Sequence, residues 1–395
     1  MTKNLQKRSK SGVFTTTIER LGAGGDGIGY APDGRVVFVP WSAPGDRLQV
    51  RPVKARSKFI HAETVELIEP GTGRTDPLCP VFGVCGGCSW QHLNYDVQLE
   101  AKSLIVEDAF SRIAKIKIPR DFKMHKSEEP YGYRSRARVL VDNQRSGFRK
   151  LRSHAICNTR RCPVLVPELD DMFSSLAESS EGRAGEWEIA VGDNGDTTSV
   201  LLPADDDNQS IGIRAGGKEI RVSSGVFFQA HRFLRNKLRD SLGGIVDFGE
   251  RALELYAGAG FFTGELARRF SRVLAIEVNS VAVSDLTLNC GSLSEVEILQ
   301  TSAEAALQGG ALLGFDPQVT VLDPPRQGLS SEVIDGLMNL APPSVAYVSC
   351  DPATLARDTG LMVDAGYDLT FLEAYDFFPQ TPHVECLALM EKSNS

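Results

Sequence analysis

Three residues in the C-terminal half have the types and placement for chemistry. Asp323 closes the apolar run of "VTVLDPPRQG" and Cys350 closes "VAYVSCDPAT". Glu385 stands near the start of the last apolar run, "HVECLALM". In open α/β sheets the ligand crevice lies outside the carboxyl ends of the strands. Asp323 and Cys350 occupy such ends. If the last strand runs antiparallel, its start lies at the same edge and all three converge. Cys350 precedes Asp351-Pro352, and proline fits the first turn of a helix. A thiol at a helix N-terminus is favoured as the nucleophilic thiolate, while the Asp351 charge acts the other way. A packed structural cysteine is the ordinary reading of a lone thiol; the Asp-Pro helix start argues against it.

A cofactor site is written nearby. "ELYAGAGFFTGELA" sets Gly258 and Gly260 between a strand and a helix, where a ligand can approach the backbone and the helix start. Glu277 ends the next strand, 17 residues after Gly260, where an acid can accept hydrogen bonds from a ribose. Dinucleotide dehydrogenases and S-adenosylmethionine (SAM) methyltransferases share this arrangement. The third glycine of GxGxxG is replaced by Thr263, which suits a cofactor without a pyrophosphate. Uracil C5 is a poor nucleophile. A thiolate adding to C6 makes an enolate whose C5 can attack the SAM methyl, and a base must then remove the C5 proton. A thiol, a carboxylate and SAM fit that sequence of steps.

Cys79-x5-Cys85-x2-Cys88 with a distant fourth cysteine has metal-ligand spacing, and Gly86-Gly87 relieve crowding. It is not the paired CxxC of a zinc ribbon. Spacing alone leaves zinc and [4Fe-4S] even, with Cys157 or Cys162 as the fourth ligand.

These groups must be positioned by elements of two textures. Residues 12–70 carry short β-branched runs broken by glycine turns, which predicts a small OB-like β-barrel, residues 1–70 in all. Residues 71–225 read as a central α+β domain that includes the cysteines. Its helix, about residues 93–116, carries Leu99, Leu104, Ile105, Ala109 and Ile113 at helical spacing and is expected to pack on the C-terminal domain. From residue 226 to 395, apolar strands alternate with helices, which predicts a doubly wound, Rossmann-like α/β domain. "FFTGELARRF" and "SVAVSDLTLNC" read as helices within it.

No apolar run approaches the ~20 residues of a membrane span, and the N-terminus lacks an apolar signal core. A cytoplasmic monomer is the expectation. The net charge of −8 hides two basic islands. Residues 1–60 hold eleven Lys/Arg against four acids, and residues 134–161 hold nine against one. Localised positive surface on an acidic protein suggests a polyanion such as RNA. A small-molecule dehydrogenase or methyltransferase would not need the basic β-barrel.

Together the motifs resemble a family. "LELYAGAGFFTGELA", "VLDPPRQGL", "YVSCDPATLARD" and "FFPQTPHVECLAL" resemble the signatures of RNA uridine-5-methyltransferases. "CPVFGVCGGCSWQH" and "HAICNTRRCPVLVPEL" resemble that family's iron–sulfur segments, and the N-terminal unit resembles its TRAM domain. The resemblance covers nearly the whole chain. It implies Cys350 as nucleophile, Glu385 as the base for the C5 proton, and Asp323 orienting the uracil and lining the SAM pocket. It implies SAM contacts from Gln229, Tyr256, Gly258, Gly260, Phe261, Glu277 and Ser302. It implies a [4Fe-4S] cluster on Cys79, Cys85, Cys88 and Cys162, with Cys157 an extra thiol. It implies ribosomal RNA as substrate, 23S first, with a tRNA T-loop uridine as the alternative; a non-catalytic RNA-binding protein is opposed by the retained Cys350, Glu385 and Asp323. The chain departs from the family at Phe261, where a small polar residue is usual, at Asp351 for Asn, and at Pro382 for Gly.

Overall fold

The computed structural model describes residues 12–142, 144–203 and 209–393. Four of the N-terminal cations, Lys3, Lys7, Arg8 and Lys10, lie outside them. The chain divides into two compact units. The first comprises the residues up to Gly83, Cys88–Ile105 and Gln380–Pro382; the second comprises Val84–Gly87, Val106–Pro379 and the residues from His383. Residues 71–83 and 88–105 thus group with the N-terminal sheet, and residues 106–225 with the C-terminal one.

The first unit is built on a six-stranded sheet in the order Phe14–Thr17, Arg47–Ala55, Phe59–Glu69, Val36–Val39, Gly27–Tyr30, Arg20–Leu21. Alternate residues face inward, as a half-buried sheet requires. Val37, Val39, Leu48, Val50 and Ile60 form its core. Asp46 is fully buried and paired with Arg74, and it accepts the backbone N–H groups of Ala43 and Gly71. Trp90, also buried, donates its indole N–H to Gly25 O at 2.9 Å. Gln98 exchanges hydrogen bonds with Gln380 at 2.9 and 3.0 Å.

The helix expected near residues 93–116 is Tyr95–Ala109, prolonged by a wider π-type turn at Phe110–Ala114. Its buried face differs from expectation. Gln98, Ala101, Lys102, Ile105, Val106 and Phe110 are inside, whereas Leu104 and Ile113 are exposed. Val106 and Phe110 join the core of the second unit.

The second unit holds a five-stranded antiparallel sheet, Ile156–Asn158, Arg145–Arg149, Arg136–Asp142, Gly185–Val191, Thr197–Leu202. The helix Pro167–Ser179 covers it with Leu169, Phe173 and Leu176. A hairpin, Ser210–Ala215 and Lys218–Ser223, leads to the eight-stranded sheet that positions the site. That sheet runs Val296–Gln300, Phe270–Glu277, Gly249–Leu255, Val319–Leu322, Ser344–Ser349, Glu385–Lys392, Tyr367–Tyr375, with Lys123–His125 at the edge. The first five are parallel, and Glu385–Lys392 enters antiparallel to Ser344–Ser349. The doubly wound expectation holds, including the reversed last strand. The helix read from "FFTGELARRF" shrinks to Thr263–Leu266. Phe261 and Phe262 turn into the core ahead of it, and Phe270 already begins the next strand.

Candidate active site

The Gly-rich turn is built by opposing demands on its residues. Tyr256 leaves the strand at a φ of 64°, a left-handed conformation that bulky residues rarely adopt. Gly258 follows at φ 56° with open space where a side chain would stand. Gly260 has none: a Cβ there would lie 2.8 Å from Leu286 Cδ1 and 3.0 Å from Cys290 Sγ. One glycine thus admits a ligand and the other admits the helix Ser280–Cys290. Glu277 ties the turn together. Its Oε2 accepts the Gly258 N–H at 2.9 Å, and its Oε1 accepts those of Val278 and Asn279 at 2.8 Å each. Thr263, in the third-glycine place, donates its hydroxyl at 2.6 Å to Glu254. Burial pushes the Glu254 carboxyl up to about 8. Asn289 Nδ2 donates to Ala259 O and to Arg221 O, both at 2.8 Å, and its Oδ1 accepts the Arg221 N–H.

The remaining cofactor candidates fall around this turn. Gln229 is buried. Phe261 is also buried and packs edge-on against Phe228 and Phe262, at 5.2 and 4.8 Å between ring centres. Ser302 caps the helix Ala303–Gln308, accepting the Ala305 N–H at 3.2 Å.

The strand register assembles the candidate chemistry at one edge. Leu322 pairs with Tyr347 in parallel, so Asp323 and Cys350 emerge at neighbouring strand ends. Ser349 pairs with Cys386 in antiparallel fashion, so Glu385 stands at that same end. Glu385 is 2% exposed, while Asp323 and Cys350 are half-buried. Burial pushes Asp323 up to about 7. Burial, and then the charge of Asp323, hold Glu385 well above the usual carboxylate range. The Cys350 thiol is pushed up to about 12, first by burial and then by Glu385, with Asp323 and Asp351 acting in the same sense. Each of these influences favours the thiol over the thiolate.

Arg326 opposes these shifts at both Cys350 and Glu385. Sequence reasoning passed over it, although it lies inside the quoted "DPPRQG". The helix start behind Cys350 is also used differently from expectation. Asp351 caps it, with Oδ1 accepting the N–H groups of Ala353 at 2.9 Å and Thr354 at 3.1 Å. Those donors therefore serve the carboxylate rather than the sulfur.

Cys79, Cys85, Cys88 and Cys162 are each partly exposed, whereas Cys157 is buried in its strand. Cys85 bridges to Lys150, beside the strand that pairs with the Cys157 strand, and its sulfur accepts the Gly87 N–H at 3.4 Å. A cysteine sulfur that accepts a backbone N–H is the donor chemistry of iron–sulfur ligation. Among the described residues, no three His, Cys, Asp or Glu side chains are gathered closely enough to hold a metal ion.

The basic islands are partly neutralised. Arg145, Arg149, Arg160 and Arg161 pair with acids, as do Arg35, Arg47 and Arg51 in the first unit. Lys54, Arg56 and Lys58, at the tip between the two longest strands of the N-terminal sheet, are exposed. Among the described residues no helix is long and apolar enough to cross a membrane.

Known proteins share this organisation. The TRAM domain profile matches residues 12–65, and the tRNA (Uracil-5-)-methyltransferase profile matches residues 168–393. A 23S rRNA (uracil(1939)-C(5))-methyltransferase, RlmD, of Vibrio parahaemolyticus is 32% identical over 95% of each chain. An uncharacterised RNA methyltransferase of Synechocystis sp. is 31% identical over 97% of this chain and 96% of that one. The crystal structure of Pyrococcus abyssi tRNA (uracil-54, C5)-methyltransferase with S-adenosyl-L-homocysteine superposes with a TM-score of 0.74 at 23% identity, covering 95% of this chain and all of that one. The chain belongs to the tRNA (Uracil-5-)-methyltransferase family, the SAM-dependent RNA (uracil-5-)-methyltransferases.

Proposed function

We propose that the chain methylates C5 of a specific uridine in 23S rRNA, with Cys350 as nucleophile and Glu385 as the base. The observation that carries this reading is the register of the sheet edge, with Ser349 opposite Cys386 and Leu322 beside Tyr347. It favours a thiol and two carboxylates working on one base. The 32% identical RlmD supports ribosomal RNA. The family profile's own description, a tRNA methyltransferase, supports a tRNA uridine as the second reading.

SAM, when bound, supplies an electrophilic methyl group. Gly258 would admit it, Glu277 would hold its ribose, and Gln229, Tyr256, Gly260, Phe261, Ser302 and Asp323 would complete its surround. The uridine must be extruded from the RNA stack to reach the edge. Asp323 orients the uracil. Cys350 gives its proton to water as its sulfur bonds C6, and the electron pair of the C5–C6 double bond moves to C5, which takes the methyl; the sulfur regains a proton from water after it is expelled. Glu385 then removes the C5 proton. The electrons of that C–H bond restore the double bond and expel the sulfur. Cys79, Cys85, Cys88 and Cys162 would hold a [4Fe-4S] cluster in a structural or RNA-positioning role, since methyl transfer needs no electron.

The test is to incubate the anaerobically purified protein with SAM and unmodified 23S rRNA or tRNA, then map 5-methyluridine. Methylation of 23S rRNA alone is expected. Methylation of tRNA alone selects the second reading, and no product on either RNA removes the proposal.

A further inference from the structure

The turn that carries Arg326 is fastened from behind by two residues that the reaction itself does not use. Gly328 N–H closes the turn on Pro325 O at 2.9 Å, which puts Arg326 and Gln327 at its corner. The helix Pro352–Asp364, which starts beside Cys350, carries Arg357 and Asp358 on its second turn. Arg357 Nη2 donates to Gln327 O at 3.1 Å and to Leu329 O at 3.2 Å. Asp358 is fully buried. Its Oδ2 accepts the Leu329 N–H at 2.9 Å and the Tyr347 hydroxyl at 2.8 Å, and its Oδ1 accepts Arg357 Nε at 2.7 Å. Tyr347 lies on the strand that ends at Cys350. Gly328 stands at φ 74°, and a Cβ there would come within 2.6 Å of both Arg357 Nη2 and Asp358 Oδ2. The polar backbone groups of residues 327 and 329 thus meet this pair at short range, and the close approach excludes any side chain at 328.

We propose that Arg357 and Asp358 are positioning residues: they clamp the turn that bears Arg326, three residues after Asp323, to the helix that starts beside Cys350, and so hold its positive charge at that edge. This rests on the reading of Cys350 and Glu385 as the reacting pair. The charged groups that face the Cys350 sulfur are Glu385 and Asp323, Arg326 on the clamped turn, and Asp351 on the helix cap; Cys386 lies beside it. Arg326 is the one cation in that set. Its charge favours the anionic forms of both Cys350 and Glu385.

The experiment measures iodoacetamide labelling of Cys350 in the full chain as a function of pH, following the Cys350 peptide by mass spectrometry. Labelling tracks the thiolate fraction. Arg326→Gln is expected to raise the thiol pKa, slowing labelling at pH 8 about tenfold. Arg357→Gln and Asp358→Asn, which do not touch the sulfur, should slow it in the same direction. Combining Arg357→Gln with Arg326→Gln should add little, because both act through one guanidinium. Wild-type labelling in Arg357→Gln, full additivity in the double variant, or no effect of Arg326→Gln overturns the proposal. Arg357→Gln leaves the buried Tyr347–Asp358 bond in place, so the outcome does not depend on Asp358→Asn folding. A merely structural fastening would lower the melting temperature and leave the labelling profile unmoved. Measuring 5-methyluridine in parallel separates the two ideas: a wild type that labels as expected but makes no product removes the functional reading and leaves the clamp.

Discussion

Ser349 faces Cys386 across an antiparallel pair, and one step further the same register sets Cys350 opposite Glu385. The two side chains are thereby brought to the same end of two paired strands. The pair is expected to act in sequence on the same ring.

Cys350→Ala should keep the fold and SAM binding and abolish methyl transfer. Glu385→Gln should allow addition and methyl transfer but block elimination. It should therefore accumulate a denaturation-resistant protein–RNA adduct, visible as a slow band on a gel. The Glu385 charge is the second cause of the raised Cys350 thiol, so the same variant should label faster with iodoacetamide at pH 8 than wild type does.

Asp323 should make the protein less stable as pH rises. Its folded pKa, about 7, lies above the ordinary carboxyl value of 3.8. The folded state therefore holds a proton that the unfolded state has lost, and stability falls between about pH 4 and pH 7. Asp323→Asn should remove that loss and raise the unfolding free energy at pH 8 by an amount on the order of 2 kcal/mol, while methylation falls. Calorimetry of both proteins at pH 5 and pH 8 checks the sign.

Asn289 uses both amide protons and its carbonyl oxygen to hold Ala259 and Arg221. Asn289→Leu keeps the volume and removes all three bonds. Affinity for SAM, measured by calorimetric titration, should weaken about tenfold, the effect of roughly 1.4 kcal/mol. The rate at saturating SAM should hold.

Lys54, Arg56 and Lys58 form an exposed basic tip on the N-terminal sheet. Replacing all three by alanine should weaken RNA binding across sequences. The slope of log affinity against log salt should shrink by about 2 to 3, one unit per lost phosphate contact. The melting temperature should hold.

If the four cysteines hold a cluster, the anaerobic protein should contain iron and sulfide in [4Fe-4S] proportion. Cys88→Ser and Cys162→Ser should lose both, and Cys157→Ser should keep them, because Cys157 is packed within its strand. Zinc without sulfide would replace the assignment.

The sheet edge was legible in the sequence because its signals are local. Apolar runs ending in Asp323 and Cys350, and a turn with glycines at 258 and 260, mark strand ends whatever packs against them. The helix face near residue 100 was not, because Gln98 and Lys102, both buried, carry no apolar signal. They are buried by partners distant in sequence or in kind: Gln98 by Gln380, and Lys102 over the Trp90 ring. Asp351 escaped for a related reason. The two N–H groups it caps come into view only once the helix start is folded. Arg326 carries no helical or strand period, and its effect appears only once the turn is folded beside Glu385.

The Asp351 cap has a consequence for survival of the thiol. Asparagine caps a helix about as well as aspartate, so capping alone does not call for the charge. Burial and then Glu385 favour the protonated Cys350 thiol, and the Asp351 charge adds to them in the same sense. Peroxides and other oxidants attack thiolates far faster than thiols, and the higher oxidation states of sulfur are irreversible. A sulfur whose surroundings favour the thiol is the more shielded from that damage, at the expense of intrinsic reactivity.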